Sequence, residues 1–324
     1  MKDIDVIFYE AFKEEEVALK KLLPKIIKAV FTPKTIQEEV SFEPPASIIS
    51  IRTQSRIPIA WSKKVKGILA RSQGYEHLVN YRREAKTKIP CGYLSDYCSR
   101  SVAEHAVMMM LVLLKHFKKQ TRQLGQFDRD GITGLDCFGK KALVFGVGHI
   151  GAQIVDLLKG LKMTVKGIDV KQNLKTLKYV SLPAGIKWAD ILFCAAALTG
   201  KTEKALNYSV LKKAKPGLVL INVSRGEITP SEDMKRLLDE KFLGGLALDV
   251  YPDESYLADY LRDDTKDLDK NIQTILELKD LDNVICTPHN AFNTRESVQQ
   301  KAKQSVESLK YFLKKGKFPH AVIS

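Results

Sequence analysis

The sequence predicts an α/β protein built on parallel sheets with helices packed on their faces. Three observations predict it. Apolar runs of strand length alternate with amphipathic stretches of helix length along the whole chain. One such alternation, Lys141–Asp169, carries a glycine-rich turn between its first strand and its helix. The chain's 324 residues suffice for two domains of ordinary size, each able to bury a core.

Taken in order, Ile4–Tyr9 reads as a strand, Glu14–Leu23 as a helix and Lys25–Phe31 as a second strand. Pro33–Val40 reads as a short helix, and Ser47–Ile51 and Gly67–Ala70 as further strands. Pro44-Pro45 and Pro58 mark loops. Ser101-Val102-Ala103-Glu104 has the form of a capping box, which starts a helix running to about Lys119. Its Met108-Met109-Met110 run suits a core or an interface. Polar residues 118–136 read as a loop.

In the next segment, Ala142–Phe145 is an apolar strand that leads into Gly146-Val147-Gly148-His149-Ile150-Gly151, a G-x-G-x-x-G turn. The following helix has Ile150, Ile154, Leu157 and Leu158 at helical spacing. A second strand, Met163–Ile168, ends in Asp169, eighteen positions after the last glycine. In this order the parts make a dinucleotide-binding βαβ unit. The first glycine permits the tight turn, the second lets the backbone approach a pyrophosphate, and the third lets helix pack on strand. The phosphates sit at the helix N-terminus, where N–H groups and the helix dipole favour negative charge. Asp169 would accept hydrogen bonds from a ribose 2′-OH and repel a 2′-phosphate, which favours NAD over NADP, with Lys171 as a nearby counterweight.

After Asp169 the alternation continues. Ile191–Ala197, Leu218–Val223, Gly245–Val250 and Asn283–Thr287 read as strands, and Tyr208–Ala214, Ser231–Glu240 and Thr294–Lys315 as helices. In an open parallel sheet, ligands bind beyond the C-terminal strand ends. Arg225, Asp249 with Glu254 five residues on, and His289 all fall there. Such a set suits hydride transfer to a carbonyl: histidine titrates near neutral pH, a carboxylate can fix its ring, and arginine can hold a substrate carboxylate by two parallel hydrogen bonds.

Composition narrows the alternatives. The net charge is +14, but the lysines are scattered along helices beside glutamates, as in Lys13–Lys21 and Lys301–Lys317. They read as solvated faces and not as a nucleic-acid surface, although their field would draw an anionic substrate and cofactor. Five cysteines (Cys91, Cys98, Cys137, Cys194, Cys286) without C-x-x-C spacing argue for reduced thiols and against a disulfide framework or a metal site. The longest apolar run, Ala106–Leu114, is too short to span a membrane, and the N-terminus lacks a signal-peptide pattern, so a cytoplasmic location is expected.

Together these blocks resemble the D-isomer-specific 2-hydroxyacid dehydrogenases over nearly the whole chain. The resemblance is carried by Gly146–Gly151 with Asp169, by Asn222-Val223-Ser224-Arg225-Gly226-Glu227, by Gly245–Tyr251 with Glu254, and by Thr287-Pro288-His289-Asn290-Ala291-Phe292. Asp269–Phe292 and Gly74-Tyr75-Glu76-His77-Leu78 are most similar to the D-lactate dehydrogenase branch. The resemblance implies two doubly wound parallel-sheet domains: a Rossmann-type NAD-binding domain over 101–292, and a flavodoxin-like, discontinuous substrate-binding domain from 1–100 and 293–324. It implies a homodimer formed through the NAD-binding domain, partly along the helix near Ser101.

By the same resemblance Arg225 binds the substrate carboxylate and keto oxygen, His289 is the general acid in reduction and base in oxidation, and Glu254 pairs with it. Gly74 offers a backbone N–H to the carboxylate, Tyr97 lines the pocket, and Arg52 is either a second anion contact or a surface arginine. NAD is contacted by Gly146, Gly148, His149, Ile150, Gly151, Asp169, Ala196, Ala197, Thr202, Val223 and Ser224, with Asp249 near the nicotinamide. Several positions depart from the family pattern. Ala195-Ala196-Ala197 replaces a common His-x-Pro, Thr229-Pro230 the usual Val-Asp, Glu76 an Asp, and Asn293 the Tyr frequent in the lactate branch. Ile51-Arg52-Thr53 looks more like the loop of phosphoglycerate or hydroxypyruvate relatives. The activity implied is NAD-dependent, reversible reduction of a small 2-oxoacid, pyruvate to D-lactate. The alternatives are a relative acting on a larger or more acidic oxoacid, and a non-catalytic NAD-sensing protein on the same fold.

Overall fold

Runs that are apolar at every position form strands buried on both faces, as parallel sheets require. The computed structural model describes residues 4–39, 41–262 and 268–322. The chain divides into two units, Met1–Cys98 with Asn293–Ser324, and Ser99–Phe292.

In the smaller unit, β1 (Val6–Phe8), β2 (Ala29–Phe31), β3 (Ile48–Ile51), β4 (Gly67–Ala70) and β5 (Cys91–Gly92) form one sheet in the order β2-β1-β3-β4-β5. All its pairings are parallel, and the order is that of the flavodoxin-like fold. Helix α1 (Lys13–Leu22) joins β1 to β2, and α2 (Glu76–Glu84) joins β4 to β5.

The larger unit opens with α3 (Ser99–Leu114) and α4 (Phe117–Gln123). Its sheet contains β6 (Lys141–Phe145), β7 (Thr164–Ile168), β8 (Lys178–Tyr179), β9 (Ile191–Cys194), β10 (Leu218–Asn222), β11 (Leu243–Leu248) and β12 (Val284–Cys286). The order is β12-β11-β10-β9-β6-β7-β8, again all parallel. Counted from β6, this is the doubly wound dinucleotide-binding order with one strand added, and the direction of winding reverses between β6 and β9. The connecting helices are α5 (His149–Gly160), α6 (Leu182–Trp188), α7 (Tyr208–Leu211), α8 (Ser231–Asp239), α9 (Glu254–Arg262) and α10 (Lys270–Asp280). Leu192, Leu220, Leu246, Met234, Leu237 and Ile275 share one fully or nearly buried core.

The chain returns to the smaller unit through α11 (Arg295–Lys315). Thr294 caps it by accepting the Ser297 N–H at 3.2 Å, and Gly316 ends it at φ +68°. Its Ala302, Val306, Leu309 and Phe312 pack against Val6, Phe8 and Ile48. Inside this unit lies a sealed ion cluster. Arg71 donates to Glu15 Oε1 (2.9 Å), Ser50 Oγ (3.1 Å) and the Tyr9 carbonyl (2.6 Å), and Lys301 Nζ lies 2.9 Å from the same Glu15 oxygen. All three charged residues are fully buried. Burial pushes the Glu15 carboxyl up, but Arg71 and Lys301 outweigh it and hold the group at about 2. Burial pulls the Lys301 ammonium down to about 7, with Glu15 opposing and Arg52 and Arg71 assisting.

Several sequence expectations are corrected. Within 33–39 there is no helix but a turn, closed by the Thr35 N–H donating to Glu38 Oε2 at 2.6 Å; Val40 lies outside the described residues. Helix α3 begins at Ser99, so Ser101 is its third residue, and Glu104 pairs with Arg100 at 2.6 Å. The helix stops at Leu114 and not near Lys119, because His116 takes φ +50°. Part of the supposed loop 118–136 is therefore α4. Lys301, read as part of a solvated face, is buried, as is Glu15 in the Lys13–Lys21 stretch. All five cysteines are free. Among the described residues no helix is long and apolar enough to cross a membrane, and no cluster of His, Cys, Asp and Glu is placed to hold a metal.

Candidate active site

The glycine turn sits where the winding reverses. Gly146 has φ +90°, and a Cβ there would lie 2.3 Å from Ala196 Cα, so both conformation and close approach demand glycine. A Cβ on Gly151 would lie 2.0 Å from the Gly146 carbonyl oxygen, which is how α5 comes to pack on β6. At Gly148 the result is opposite: a Cβ would meet nothing within 4 Å. Open space thus faces the N-terminus of α5, whose first turn holds His149 and Ile150 and whose cap, Gly148, has no side chain to occupy it. This cradle fits a dinucleotide pyrophosphate. Asp169, one residue past β7, accepts the N–H groups of Val147 (2.6 Å) and Lys171 (2.8 Å), which fix its carboxylate at the rim of the turn.

The loops after β9 and β10 continue this edge. Ser224 Oγ donates to the Ala196 carbonyl, Thr202 Oγ1 to the Ala197 carbonyl (2.7 Å), and the Val223 N–H to the Cys194 carbonyl (3.2 Å). Ala196 and Ala197 therefore keep their carbonyls engaged by neighbouring hydroxyls.

Next along the same edge come Arg225, Glu254 and His289, from the loops after β10, β11 and β12. Buried Asn222 clamps the Arg225 loop: its Nδ2 donates to the Arg225 carbonyl (2.9 Å) and its Oδ1 accepts the Ser224 N–H (2.9 Å). A Cβ on Gly226 would lie 1.9 Å from the Tyr251 carbonyl carbon, so the loops after β10 and β11 touch backbone to backbone. Arg225 Nη1 donates to the Ser224 carbonyl at 2.8 Å. Glu254 opens α9, and its carboxylate oxygens lie 2.8 and 2.7 Å from His289 Nδ1. A carboxylate only accepts, so Nδ1 carries the proton and Nε2 is the nitrogen left for chemistry. Both side chains are about one-fifth to one-quarter exposed, at 20% and 24%.

His289 has φ +50°. Asp249, buried, supports its turn by accepting Thr287 Oγ1–H (2.5 Å) and the N–H groups of Asn290 (2.8 Å) and Ala291 (3.0 Å). The Tyr251 hydroxyl donates to the Thr287 carbonyl at 2.8 Å, and burial pushes its pKa up. Sequence reasoning named neither Tyr251 nor Thr287 as functional, although both lie inside motifs it quoted. It also passed over Glu227. Burial raises that carboxyl, Arg225 lowers it, and Asp253 and Glu254 raise it, so Glu227 feels both charged members of the set.

Gly74, Tyr97 and Arg52 belong to the smaller unit. The Gly74 carbonyl accepts Ser72 Oγ–H at 2.6 Å. Burial pushes the Tyr97 phenol up, beside Cys98 and with Arg52 acting in the opposite sense. Arg52 follows β3, donates its N–H to Glu10 Oε2 (3.0 Å), and sets its guanidinium 5.6 Å from the Phe12 ring.

A cradle for a dinucleotide and a carboxylate-paired histidine on one sheet edge are what hydride transfer to a carbonyl needs, and they define an NAD-dependent oxidoreductase. The comparison with known families narrows this class. Residues 107–291, more than half of the chain, match the model of the D-isomer specific 2-hydroxyacid dehydrogenase NAD binding domain, and the chain belongs to that family. D-lactate dehydrogenase of Escherichia coli (strain K12) is 29% identical over 252 residues, 76% of this chain and 75% of the relative. Glyoxylate reductase of Pyrococcus furiosus is 27% identical over 243 residues, 71% of this chain and 67% of the relative. The crystal structure of D-lactate dehydrogenase from Aquifex aeolicus, complexed with NAD and lactic acid, superposes with a TM-score of 0.82 at 27% identity, covering 97% of this chain and 99% of the other.

Proposed function

We propose that this NAD-dependent D-2-hydroxyacid dehydrogenase reduces pyruvate to D-lactate, reversibly. The observation that carries the reading is the His289–Glu254 pair at 2.7 Å, one loop from Arg225. D-lactate dehydrogenases among the similar proteins support the choice of substrate. When bound, nicotinamide supplies the hydride to the carbonyl carbon. His289 Nε2–H gives its proton to the carbonyl oxygen, and the Glu254 carboxylate holds the ring and balances the imidazolium. Arg225 grips the substrate carboxylate through its two-point fork and polarises the keto oxygen. Gly74, Tyr97 and Arg52 are assigned to substrate on the family resemblance. For the cofactor, Gly146–Gly151 would hold the pyrophosphate and Asp169 the ribose, beside Ala196, Ala197, Thr202, Val223, Ser224 and Asp249.

The homodimer belongs to the same proposal. Phe117, Leu124, Phe127, Leu135 and Phe138 are each more than half exposed in one stretch of the larger unit, and a soluble monomer rarely leaves so much apolar surface open. Sedimentation equilibrium should give twice the chain mass. The free thiols fit the cytoplasmic location assigned here.

A panel of 2-oxoacids with NADH tests the function, with rate and product chirality scored. Pyruvate should give the highest catalytic efficiency and a D-product. A larger or more acidic oxoacid in first place would replace the substrate. No NADH oxidation with any member would leave an NAD-sensing protein.

A further inference from the structure

The backbone at His289 poses a question that the proton-donor role does not answer. A left-handed conformation at a non-glycine residue persists only where its surroundings hold it. Here φ is +50°, and both amides after the histidine donate to one buried carboxylate, Asp249, at 2.8 and 3.0 Å. The carboxylate itself must be aimed. Its third donor is Thr287 Oγ1–H at 2.5 Å, and Thr287 Oγ1 lies 3.1 Å from His105 Nε2. His105 Nε2 is also 3.8 Å from the nearer Asp249 oxygen.

Bond directions follow from chemistry. A carboxylate only accepts, so the threonine hydroxyl donates to it and takes the His105 Nε2–H on a lone pair. The chain runs His105 to Thr287 to Asp249 to the amides of the His289 turn. Its origin is rigid. His105 sits within α3, whose Met109 and Met110 are fully buried, and that helix lies against β10, β11 and β12.

We propose that His105 is a positioning residue: acting through Thr287 and Asp249, it fixes the backbone turn that presents His289. The inference rests on the assignment of His289 as proton donor. Burial disfavours a charge on His105 while Asp249 favours one, and the neutral ring with its proton on Nε2 suffices for the bond described.

The test uses the full chain and three variants, His105→Ala, His105→Gln and Thr287→Val, with two readouts. Hydrogen exchange of residues 287–292 in the cofactor-free protein reads the turn directly. Steady-state kinetics with pyruvate and NADH read its consequence. His105→Ala and Thr287→Val should speed exchange at Asn290 and Ala291 by about tenfold or more. Both should lower kcat by about tenfold to a hundredfold with KM nearly unchanged, as misplacing a catalytic group does. His105→Gln, which can bring an N–H to the same hydroxyl, should restore both readouts. Thr287→Val keeps the side-chain shape, so it answers even if His105→Ala fails to fold. Unchanged exchange, unchanged kcat, no rescue by glutamine, or faster exchange spread over the whole larger unit would each overturn the positioning role. His289→Asn, measured alongside, separates the two layers. If it retains turnover, the proton-donor assignment fails; if it is inactive while His105→Ala is normal, only the positioning role fails.

Discussion

Arg71 and Arg225 stand at corresponding points of the two sheets, one directly after β4 and the other three residues after β10. Their surroundings differ. Arg71 is fully buried, and its guanidinium is taken up by Glu15, Ser50 and the Tyr9 carbonyl. Arg225 is partly exposed, on a loop whose backbone is clamped by Asn222 and by the approach of Tyr251 to Gly226. The same contrast extends to their partners. Glu15 and Lys301 are sealed, whereas Glu254 and His289 are open at 20% and 24%. A strand end offers a charge to either use. Enclosure decides: a sealed charge spends its hydrogen bonds on the fold, and an open one on a rigid loop keeps directions for a ligand.

The largest expected effect lies on the open side. His289→Ala should lower turnover by about a hundredfold to ten-thousandfold, the range for losing a general acid, with the melting curve unmoved. A melting point that falls with turnover would place His289 among the structural charges. Next comes the direct exchange. Arg71→Gln should cost about 3–5 kcal/mol of stability, because it leaves Glu15 buried with one partner fewer. Arg225→Gln should leave denaturant unfolding unchanged, while kcat/KM for pyruvate falls and KM rises. Normal kinetics in Arg225→Gln would break the comparison and, with it, the carboxylate-anchor assignment.

A smaller effect is expected at Asp169, on the rim of the glycine turn. Asp169→Ala should narrow the preference for NADH over NADPH by about tenfold to a hundredfold, the worth of a hydrogen bond to a charged group. Equal efficiency with both cofactors in the unaltered protein would remove Asp169 from that role. The smallest concerns Lys301, whose pKa in the folded chain, about 7, lies below its ordinary 10.5. In that window the unfolded chain binds more protons, so the burden of the buried ammonium is complete below pH 7 and fades as pH rises toward 10.5. Lys301→Met leaves Glu15 with one partner fewer at either pH but removes the ammonium's burden, so its melting temperature relative to the unaltered protein should be higher at pH 6 than at pH 9. An equal shift at both values would show that the ammonium is not the strained member of the cluster.

What was legible in the sequence was local. Gly67–Ala70 is a strand to the residue, and the βαβ unit of Lys141–Asp169 follows from glycine spacing and apolar runs alone. Arg225, Glu254 and His289 fall beyond the ends of neighbouring strands, as the pattern indicated. What was hidden depends on distant partners or on weak signals. Lys301 meets Glu15 from the far end of the chain, and in sequence it is one more lysine on a lysine-rich helix. His105 and Thr287 are 182 positions apart. The break between α3 and α4 occurs at His116 in a left-handed turn, without glycine or proline to announce it. Strands β5 and β8 have two residues each, too few for a period to show. Thr35 and Glu38 carry the chemistry of a helix start, but their hydrogen bonds close a turn instead.

The split construction of the smaller unit sets an order on its biosynthesis. Its two segments are separated by the 194 residues of Ser99–Phe292, which take about 10–40 s to translate at roughly 5–20 residues per second. During that interval the five strands of the first segment exist without Ala302, Val306, Leu309 and Phe312, the side chains that cover Val6, Phe8 and Ile48. The larger unit is continuous and has every strand of its sheet by Cys286, before α11 begins. It can therefore close first, while the apolar face of the smaller sheet waits on the ribosome, open to water and to chaperones. The first segment to be made is the one that waits longest for its cover.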